Sequence, residues 1–134
     1  MARRESREQA FVLMFEKSFQ KNMSMKDIID INIENDIIEN DDFAQALAIK
    51  TCDNIEEIDS KIETFSIARK MNRISKVSLS VLRIAVCEML YYDDIPFGVS
   101  INEAVEICKK YASEDEYAFV NGLLGSLSRS LEVK

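Results

Sequence analysis

Arg3, Arg4 and Arg7 lie within five residues of one another near the amino terminus. Ser6, followed three residues later by Gln9, forms a capping-box pattern that predicts a helix starting at about residue 6, with a backward extension through the preceding charged residues as the alternative. A helix dipole disfavours cations at its amino end by a few tenths of a kcal/mol. Arginine pairs with phosphate and stacks on bases, so guanidinium groups placed against that preference indicate an anionic partner. A solvated terminus is the alternative, and charge alone does not decide between the two.

Aromatic side chains could add stacking surfaces for unpaired bases, each worth about 1–3 kcal/mol. The candidates are Phe15, Tyr111 and Phe119. Helical periodicity alone favours a place in the core for each of them. The pattern therefore nominates these three residues without assigning them a binding role.

The sequence offers little for catalysis. It contains no histidine, which excludes imidazole bases, Ser-His or Cys-His pairs and histidine metal ligands. It also has no P-loop, dinucleotide fingerprint or GxSxG motif. The paired acids at 41–42 and 93–94 stand at predicted helix starts or turns, where carboxylates favour the helix dipole. We therefore predict a protein that is not an enzyme and holds neither a metal nor another cofactor.

Cys52, Cys87 and Cys108 are odd in number and show no CxxC spacing. This pattern favours buried, reduced thiols over a disulfide framework or a zinc site. No apolar run approaches the roughly 18–20 residues of a membrane span, and the amino terminus has no apolar signal core. The sequence thus predicts a single cytoplasmic domain over 1–134 without a membrane segment.

The net charge of −7 argues against nucleic acid when it is taken alone, but the charge is unevenly distributed. The net charge is +2 over 1–23, −9 over 24–63, +4 over 64–92 and −4 over 93–134. Most of the acidity therefore belongs to one block. That block is interpreted as a solubilising surface, with a face for a basic protein partner as the alternative.

Hydrophobic spacing predicts an all-α fold of six or seven helices. Only three glycines and one proline are present, which disfavours a fold rich in tight turns. A strand competes with a short helix over the isoleucine-rich segment 27–36, and the helix is preferred because no partner strand is visible. The predicted helices cover about 6–20, a short segment after Ser24, a long segment from 40–42 to about 68, 79–92, a segment opened by Ser100 and Glu103, and 113–131.

Specific predictions also follow for the connection at 69–76 and for two glycines in the last predicted helix. Residues 69–76 are basic and polar, which predicts a connection containing one turn of helix. Gly122 and Gly125 lie inside the last predicted helix, where each costs about 1 kcal/mol relative to alanine. A small-residue face that another helix approaches closely would offset that cost.

Four segments give the chain a specific resemblance to the NusB family of bacterial transcription antitermination factors. RRESREQA at 3–10 is similar to the Arg-rich opening of that family with its R-E-x-A signature. LRIAVCEML at 82–90, IPFGVSINEAVEICKKY at 95–111 and EDEYAFVNGLLGSL at 114–127 are similar to three family segments of the carboxy-terminal half. Residues 21–70 match only in helical pattern.

The resemblance implies an all-α arrangement of about seven helices in two small packed bundles. It also implies an RNA-binding regulator that pairs with NusE, a small-subunit ribosomal protein. The pair would bind the single-stranded boxA element of leader and ribosomal RNA transcripts. It would then help to assemble a processive, termination-resistant RNA polymerase complex. Some family members self-associate, so the resemblance leaves open whether the free chain is a monomer or a homodimer.

Carried over position by position, the resemblance implies an RNA-binding surface. Arg3, Arg4 and Arg7 fall on arginines that contact RNA in the family. Phe15, Tyr111 and Phe119 fall on aromatic positions that lie against the RNA. Lys109 falls on a nearby basic position, and Asp115 falls at the edge of that surface.

Two departures from the family pattern imply weaker RNA binding by the chain alone. Phe15 replaces a common tyrosine, and Glu5 interrupts an arginine run that is often denser. Two other functions are weighed against antitermination. One is the NusB-like RNA-binding domain of an rRNA cytosine methyltransferase, which would require the chain ending at Lys134 to be a fragment. The other is a protein-only scaffold that has lost RNA binding.

Overall fold

The computed structural model describes residues 3–132, which form seven α-helices and one short 3-10 helix, with no strand in that range. The all-α prediction is confirmed, and the isoleucine-rich segment 27–36 is largely helical. The helices are α1 (Arg3–Lys17), α2 (Met25–Glu34), α3 (Asp42–Asp53), α4 (Ile55–Phe65), α5 (Lys76–Tyr91), α6 (Phe97–Tyr111) and α7 (Glu114–Glu132), and the 3-10 helix is Met71–Arg73.

Helix α5 lies at the centre of the molecule. Ten of its sixteen residues are buried, and it packs against α1, α3, α4, α6 and α7. A helix that is apolar around most of its circumference is stable only when neighbours surround it. The apolar segment from Val81 to Met89 therefore determines the arrangement of the other helices.

The remaining helices form two sets around α5. Helices α1, α2 and α3 pack against one another, and α4, α6 and α7 pack with α5. A single cluster of buried apolar side chains extends through both sets. Within residues 3–132, no helix combines the length and apolar character needed to span a membrane.

The capping box predicted at Ser6 does not form, and the alternative in which the preceding charged residues extend the helix is correct. Helix α1 begins at Arg3, so Ser6 lies inside it and is buried. The Ser6 hydroxyl donates to Oδ2 of Asp41 at 2.6 Å, and Oδ1 of Asp41 accepts from the Ala44 backbone N–H. Ser6 thus connects α1 to the cap of α3 instead of capping its own helix.

The single long helix predicted from about residue 41 to 68 is also wrong. The helix is interrupted at Asn54, which lies between α3 and α4. The side-chain amide of Asn54 donates to the Lys50 carbonyl at 2.9 Å. Asparagine competes with the backbone for such hydrogen bonds, which favours helix ends. The buried positions continue across the break because Thr51 and Ile58 both face the core. Apolar spacing alone therefore concealed the interruption.

The capping box predicted at Ser100 and Glu103 does not form. Helix α6 begins at Phe97, directly after Pro96, and proline suits a helix start because it has no N–H to leave unpaired. Ser100 is buried inside the helix and donates to Glu88, and Glu103 accepts hydrogen bonds from Arg4. Both residues connect helices instead of capping one.

Helix α7 begins at Glu114, as Ser113 predicted, but its two glycines do not admit a neighbouring helix. A Cβ atom on Gly122 would meet nothing within 4 Å. A Cβ atom on Gly125 would meet only the Arg129 side chain, at 3.5 Å. The expectation of a close helix contact at these positions within the chain is therefore wrong.

Candidate nucleic-acid interface

Arg7 is held inside the molecule. Its Nε atom donates to Oε2 of Glu88 at 2.6 Å, and only 6% of the residue is exposed. The other oxygen of Glu88 accepts from the Ser100 hydroxyl at 2.8 Å. An unpaired charge buried in this way would be costly, so the three side chains form one mutually dependent group. The geometry makes Arg7 a residue that positions α1 on α5 and α6, and a direct contact with RNA stays a prediction.

Arg3 and Arg4 are exposed at the amino end of α1. Arg4 forms a two-point contact with Glu103, with Nε 3.1 Å from Oε1 and Nη2 2.8 Å from Oε2. That hydrogen-bonded guanidinium lowers the pKa of the Glu103 carboxyl. The guanidinium of Arg3 lies 3.9 Å from the centre of the Phe43 ring on α3. The two arginines therefore extend toward different neighbouring helices, Arg4 toward α6 and Arg3 toward α3.

Phe15 and Tyr111 are brought together by Phe11. The Tyr111 ring lies 5.0 Å from the Phe11 ring, and the Phe11 ring lies 6.0 Å from the Phe15 ring. Glu8 accepts a hydrogen bond from the Tyr111 hydroxyl and another from Lys110 at 2.6 Å. Desolvation acts to raise the pKa of Glu8, but these hydrogen bonds outweigh it and the pKa is lowered. The middle of α1 is thus fixed to the carboxyl end of α6.

The aromatic side chains continue beyond Phe15 to a lysine. The Phe19 ring meets the Phe15 ring edge-on, with centroids 5.1 Å apart, and is 60% exposed. The Lys76 ammonium, at the start of α5, lies 5.2 Å from the centre of the Phe19 ring. The Phe19 ring faces solvent because α1 ends at Lys17, two residues before it.

Phe119 lies beneath a guanidinium group. The Arg69 Cζ atom is 4.4 Å from the centre of the Phe119 ring, and Arg69 also pairs with Glu116 at 2.7 Å. Glu116 accepts further hydrogen bonds from Ser75 and Ser78, each at 2.8 Å. Desolvation acts to raise the pKa of Glu116, and the three donors outweigh it and lower the pKa. Glu116 thereby holds the connection before α5 against the first turn of α7.

Two groups of contacts, one around Phe15 and Tyr111 and the other around Phe119 and Arg69, are together called the aromatic–basic face. Each group combines basic and aromatic side chains, and both kinds contact single-stranded nucleic acid in proteins. Lys109 and Asp115 flank it: Lys109 is exposed near Glu106 and the Tyr117 ring, and Asp115 is exposed in the first turn of α7. The members of the face are Phe15, Phe19, Arg69, Lys76, Lys110, Tyr111 and Phe119.

Sequence reasoning missed four members of this face: Arg69, Lys76, Phe19 and Lys110. The positive charge of residues 64–92 was the available signal for the first two, but the 69–76 segment was interpreted only as a connection. The 3-10 turn predicted there is present at Met71–Arg73. The connection therefore contributes Arg69 to the aromatic–basic face as well as joining two helices.

All three cysteines are free thiols. Cys87 and Cys108 are buried, and desolvation raises their pKa values to about 11 and about 12, so both fit the predicted buried, reduced state. Cys52 is only half-buried, and desolvation raises its pKa as well. Across the part of the chain that the structure describes, no three Cys, Asp or Glu side chains form a group that could hold a metal ion.

Comparisons with known proteins agree with the all-α fold. The NusB family model matches residues 4–129. The transcription antitermination protein NusB of Clostridium acetobutylicum is 46% identical over 136 aligned positions, covering 100% of both chains. That of Acetivibrio thermocellus is 44% identical, with 95% of this chain and 88% of the relative covered.

Solved structures are similar over the same extent. A chain from the crystal structure of antitermination factors NusB and NusE in complex with dsRNA has a TM-score of 0.82 at 27% identity, with 97% of this chain and 99% of that chain covered. NusB of T. maritima has a TM-score of 0.82 at 31% identity, with 96% and 92% covered. The fold, the four sequence segments and the full-length matches lead to one conclusion: the chain belongs to the NusB family of transcription antitermination proteins, which are not enzymes.

Proposed function

We propose that this chain binds RNA as one half of a heterodimer with NusE and thereby promotes termination-resistant transcription, notably of rRNA operons. The observation that carries the proposal is the aromatic–basic face. Exposed rings offer stacking surfaces, and adjacent cations offer phosphate contacts, so one surface can hold bases and backbone together. The full-length similarity to antitermination proteins supports the same function.

The proposed ligand is single-stranded RNA of the boxA type. Stacking on Phe19, Tyr111 and Phe119 requires bases that are not already stacked in a duplex. The related NusB–NusE structure contains dsRNA, which makes the strandedness of the ligand a property to measure. We expect single strands to bind more tightly than duplexes of the same sequence.

NusE is the proposed protein partner, and the assembled RNA polymerase complex is the proposed destination of the pair. Such a complex forms on nascent transcripts, so the proposed location is the cytoplasm. Three cations of this chain already pair with its own carboxylates Glu103, Glu8 and Glu116. NusE is therefore expected to supply RNA affinity that the chain lacks. A homodimer of the free chain is a further proposal, to be tested by sedimentation with and without NusE.

The central experiment measures the affinity for a boxA RNA with and without NusE over a range of salt concentrations. The proposal requires that NusE raises RNA affinity and that affinity falls linearly in log–log form as salt increases. A scrambled RNA of equal length is the control for non-specific attraction. If NusE leaves the affinity unchanged, the heterodimer mechanism is wrong. If the chain shows no RNA binding in either state, the protein-only scaffold is the better description.

A further inference from the structure

A cleft that borders the aromatic–basic face at Lys76 opens between the carboxyl end of α1, the junction of α3 and α4, and the first turns of α5. Its volume is about 350 Å³, at the lower end of the range for small-ligand sites. It is lined by Met14, Lys17, Ser18, Lys21, Cys52, Ile55, Lys76, Leu79, Ser80 and Arg83.

Four of the lining side chains are basic, and none is a carboxylate. The Lys17 ammonium donates to the carbonyl oxygens of Lys21 and Met23, at 3.0 and 2.6 Å, which fixes its position without neutralising its charge. Arg83 is neutralised by a two-point contact with Asp59. Lys17, Lys21 and Lys76 thus leave an excess of positive charge at the cleft, and an anion is its natural complement.

The other wall of the cleft is apolar. Met14, Ile55 and Leu79 line it, and Cys52 lies against Met14 with 3.7 Å between the sulfur atoms. A free inorganic anion would gain no binding free energy from such a wall, because the hydrophobic effect favours only the burial of apolar surface. Cations beside an apolar wall therefore match a ligand that has an anionic group and a largely apolar part.

We propose that this cleft binds a single nucleotide, with its phosphate among the lysines and its base against the apolar wall. The nucleotide could be free or could be one residue of an RNA chain. Lys76 belongs to both the cleft and the aromatic–basic face, so the two surfaces are continuous. The inference goes beyond the proposed function and does not depend on it, because a free nucleotide can be tested without RNA or NusE.

The Cys52 thiol provides a direct readout. It is half-buried at the cleft, whereas Cys87 and Cys108 are fully buried, so Cys52 is the thiol that we expect to react first with a small maleimide. Adenosine 5′-monophosphate should slow its modification. Adenosine and inorganic phosphate, which each match half of the cleft, should need concentrations at least about tenfold higher for the same protection. No protection by the nucleotide, or equal protection by inorganic phosphate, would overturn the proposal.

Matched variants assign the protection to the cleft. Lys21→Gln should weaken nucleotide protection of Cys52 by roughly fivefold, because it removes a lining cation without removing a core contact. Lys26→Gln makes the same change of charge on α2, outside the cleft, and should leave the protection unchanged. Protection that responds equally to both substitutions would indicate general charge attraction and would contradict the assignment. Each value is a ratio of rates with and without nucleotide, which cancels any effect on intrinsic thiol reactivity.

The source of the nucleotide follows from blocking the cleft. Once Cys52 carries a maleimide adduct, RNA affinity is measured with the modified protein. If the RNA affinity falls, the natural occupant is a nucleotide of the bound RNA. If the RNA affinity is unchanged while the unmodified protein still shows nucleotide protection, the occupant is a free nucleotide. A failure of RNA binding by the unmodified protein would contradict the proposed function but not the cleft assignment.

Discussion

Arg7 and Glu88 form an ion pair that is enclosed between α1 and α5, with 8% and 2% of their side chains exposed. The Arg7 guanidinium also lies 4.0 Å from Glu103, which in turn holds the exposed Arg4. The three charged residues Arg7, Glu103 and Arg4 thus run from the interior to the surface. Two arginines of one sequence cluster therefore have different positions. Arg7 lies in the interior, where it positions helices, and Arg4 lies at the surface.

The first prediction concerns stability. Arg7→Ala should lower the free energy of unfolding by about 3–5 kcal/mol, because it leaves the Glu88 carboxylate buried without its counter-ion. Urea unfolding followed by circular dichroism measures the change. Arg4→Ala is the matched control: its guanidinium is exposed, so the same measurement should show little change. Equal losses from the two substitutions would contradict the assignment of Arg7 to a positioning role.

The second prediction concerns acid stability. The pKa of Glu116 is lowered in the folded protein, so its hydrogen bonds stabilise the fold above the unfolded-state pKa. That contribution is lost as the pH falls through the lower, folded pKa. Glu116→Gln should therefore destabilise the protein at neutral pH and flatten the decline in stability below about pH 4.5. Urea unfolding at a series of pH values measures both effects.

Glu114→Gln serves as the control for this titration, because Glu114 lies in the same first turn of α7 and is exposed. Because Glu114→Gln removes only a helix-dipole interaction of a few tenths of a kcal/mol, it should change the loss of stability at acid pH much less than Glu116→Gln does. The free energy of unfolding of the Glu116→Gln protein could instead decline at acid pH as steeply as that of the unsubstituted protein. That result would show that the contacts with Arg69, Ser75 and Ser78 do not favour the ionised carboxylate.

The sequence predicts the helices well where apolar spacing and a break in the chain coincide. The end of α5 near Tyr92 and the start of α7 after Ser113 agree with the structure. The errors at Ser6 and Ser100 have a common cause. Both serines match a local capping pattern, yet their hydroxyl groups bond to acidic residues on other helices, Asp41 and Glu88. A local pattern contains no information about such distant partners.

The candidate site was only partly predictable for the same reason. Residue type and resemblance nominate Phe15, Tyr111 and Phe119; the structure connects Phe15 to Tyr111 through Phe11 and places Phe119 beneath Arg69, and their contact with RNA stays a prediction. Arg69 and Lys76 were not nominated, because their importance depends on the packing of α5 against α1 and α7. The burial of Arg7 is equally unpredictable from the sequence. Arg7 lies in a charged terminal segment, and its partner Glu88 is 81 residues away along the chain.

The third prediction separates stacking from charge. Phe119→Leu should weaken binding of single-stranded RNA by about 1–3 kcal/mol, because it removes a ring while keeping apolar bulk. The slope of log affinity against log salt should not change, since no cation is lost. Fluorescence anisotropy at several salt concentrations measures both quantities. Phe97→Leu, at the opposite end of α6 from Tyr111, should leave RNA affinity unchanged.

An unchanged affinity of the Phe119→Leu protein would remove Phe119 from the RNA-binding surface. A changed salt slope would instead indicate that the substitution displaces Arg69, whose guanidinium lies over this ring. Circular dichroism of the variant, compared with that of Phe97→Leu, distinguishes a local loss of stacking from a loss of structure.

The fourth prediction concerns a substitution that should strengthen RNA binding. Asp115 is exposed in the first turn of α7, one residue before Glu116 and four before Phe119. A carboxylate beside bound phosphates repels them, so Asp115→Asn should strengthen RNA binding, and most clearly at low salt, where screening is weakest. The same substitution should cost a few tenths of a kcal/mol in stability, because it removes an acid from a helix amino end.

Asp93→Asn makes an identical change in net charge, from −7 to −6, at an exposed position after α5. It should produce a much smaller gain in RNA affinity, because screened charges act over about 10 Å at moderate salt. If both substitutions strengthen binding equally, the gain reflects total charge and Asp115 does not lie beside the RNA. If Asp115→Asn weakens binding, the carboxylate accepts hydrogen bonds from the RNA bases, and the edge of the interface has the opposite chemistry to that proposed here.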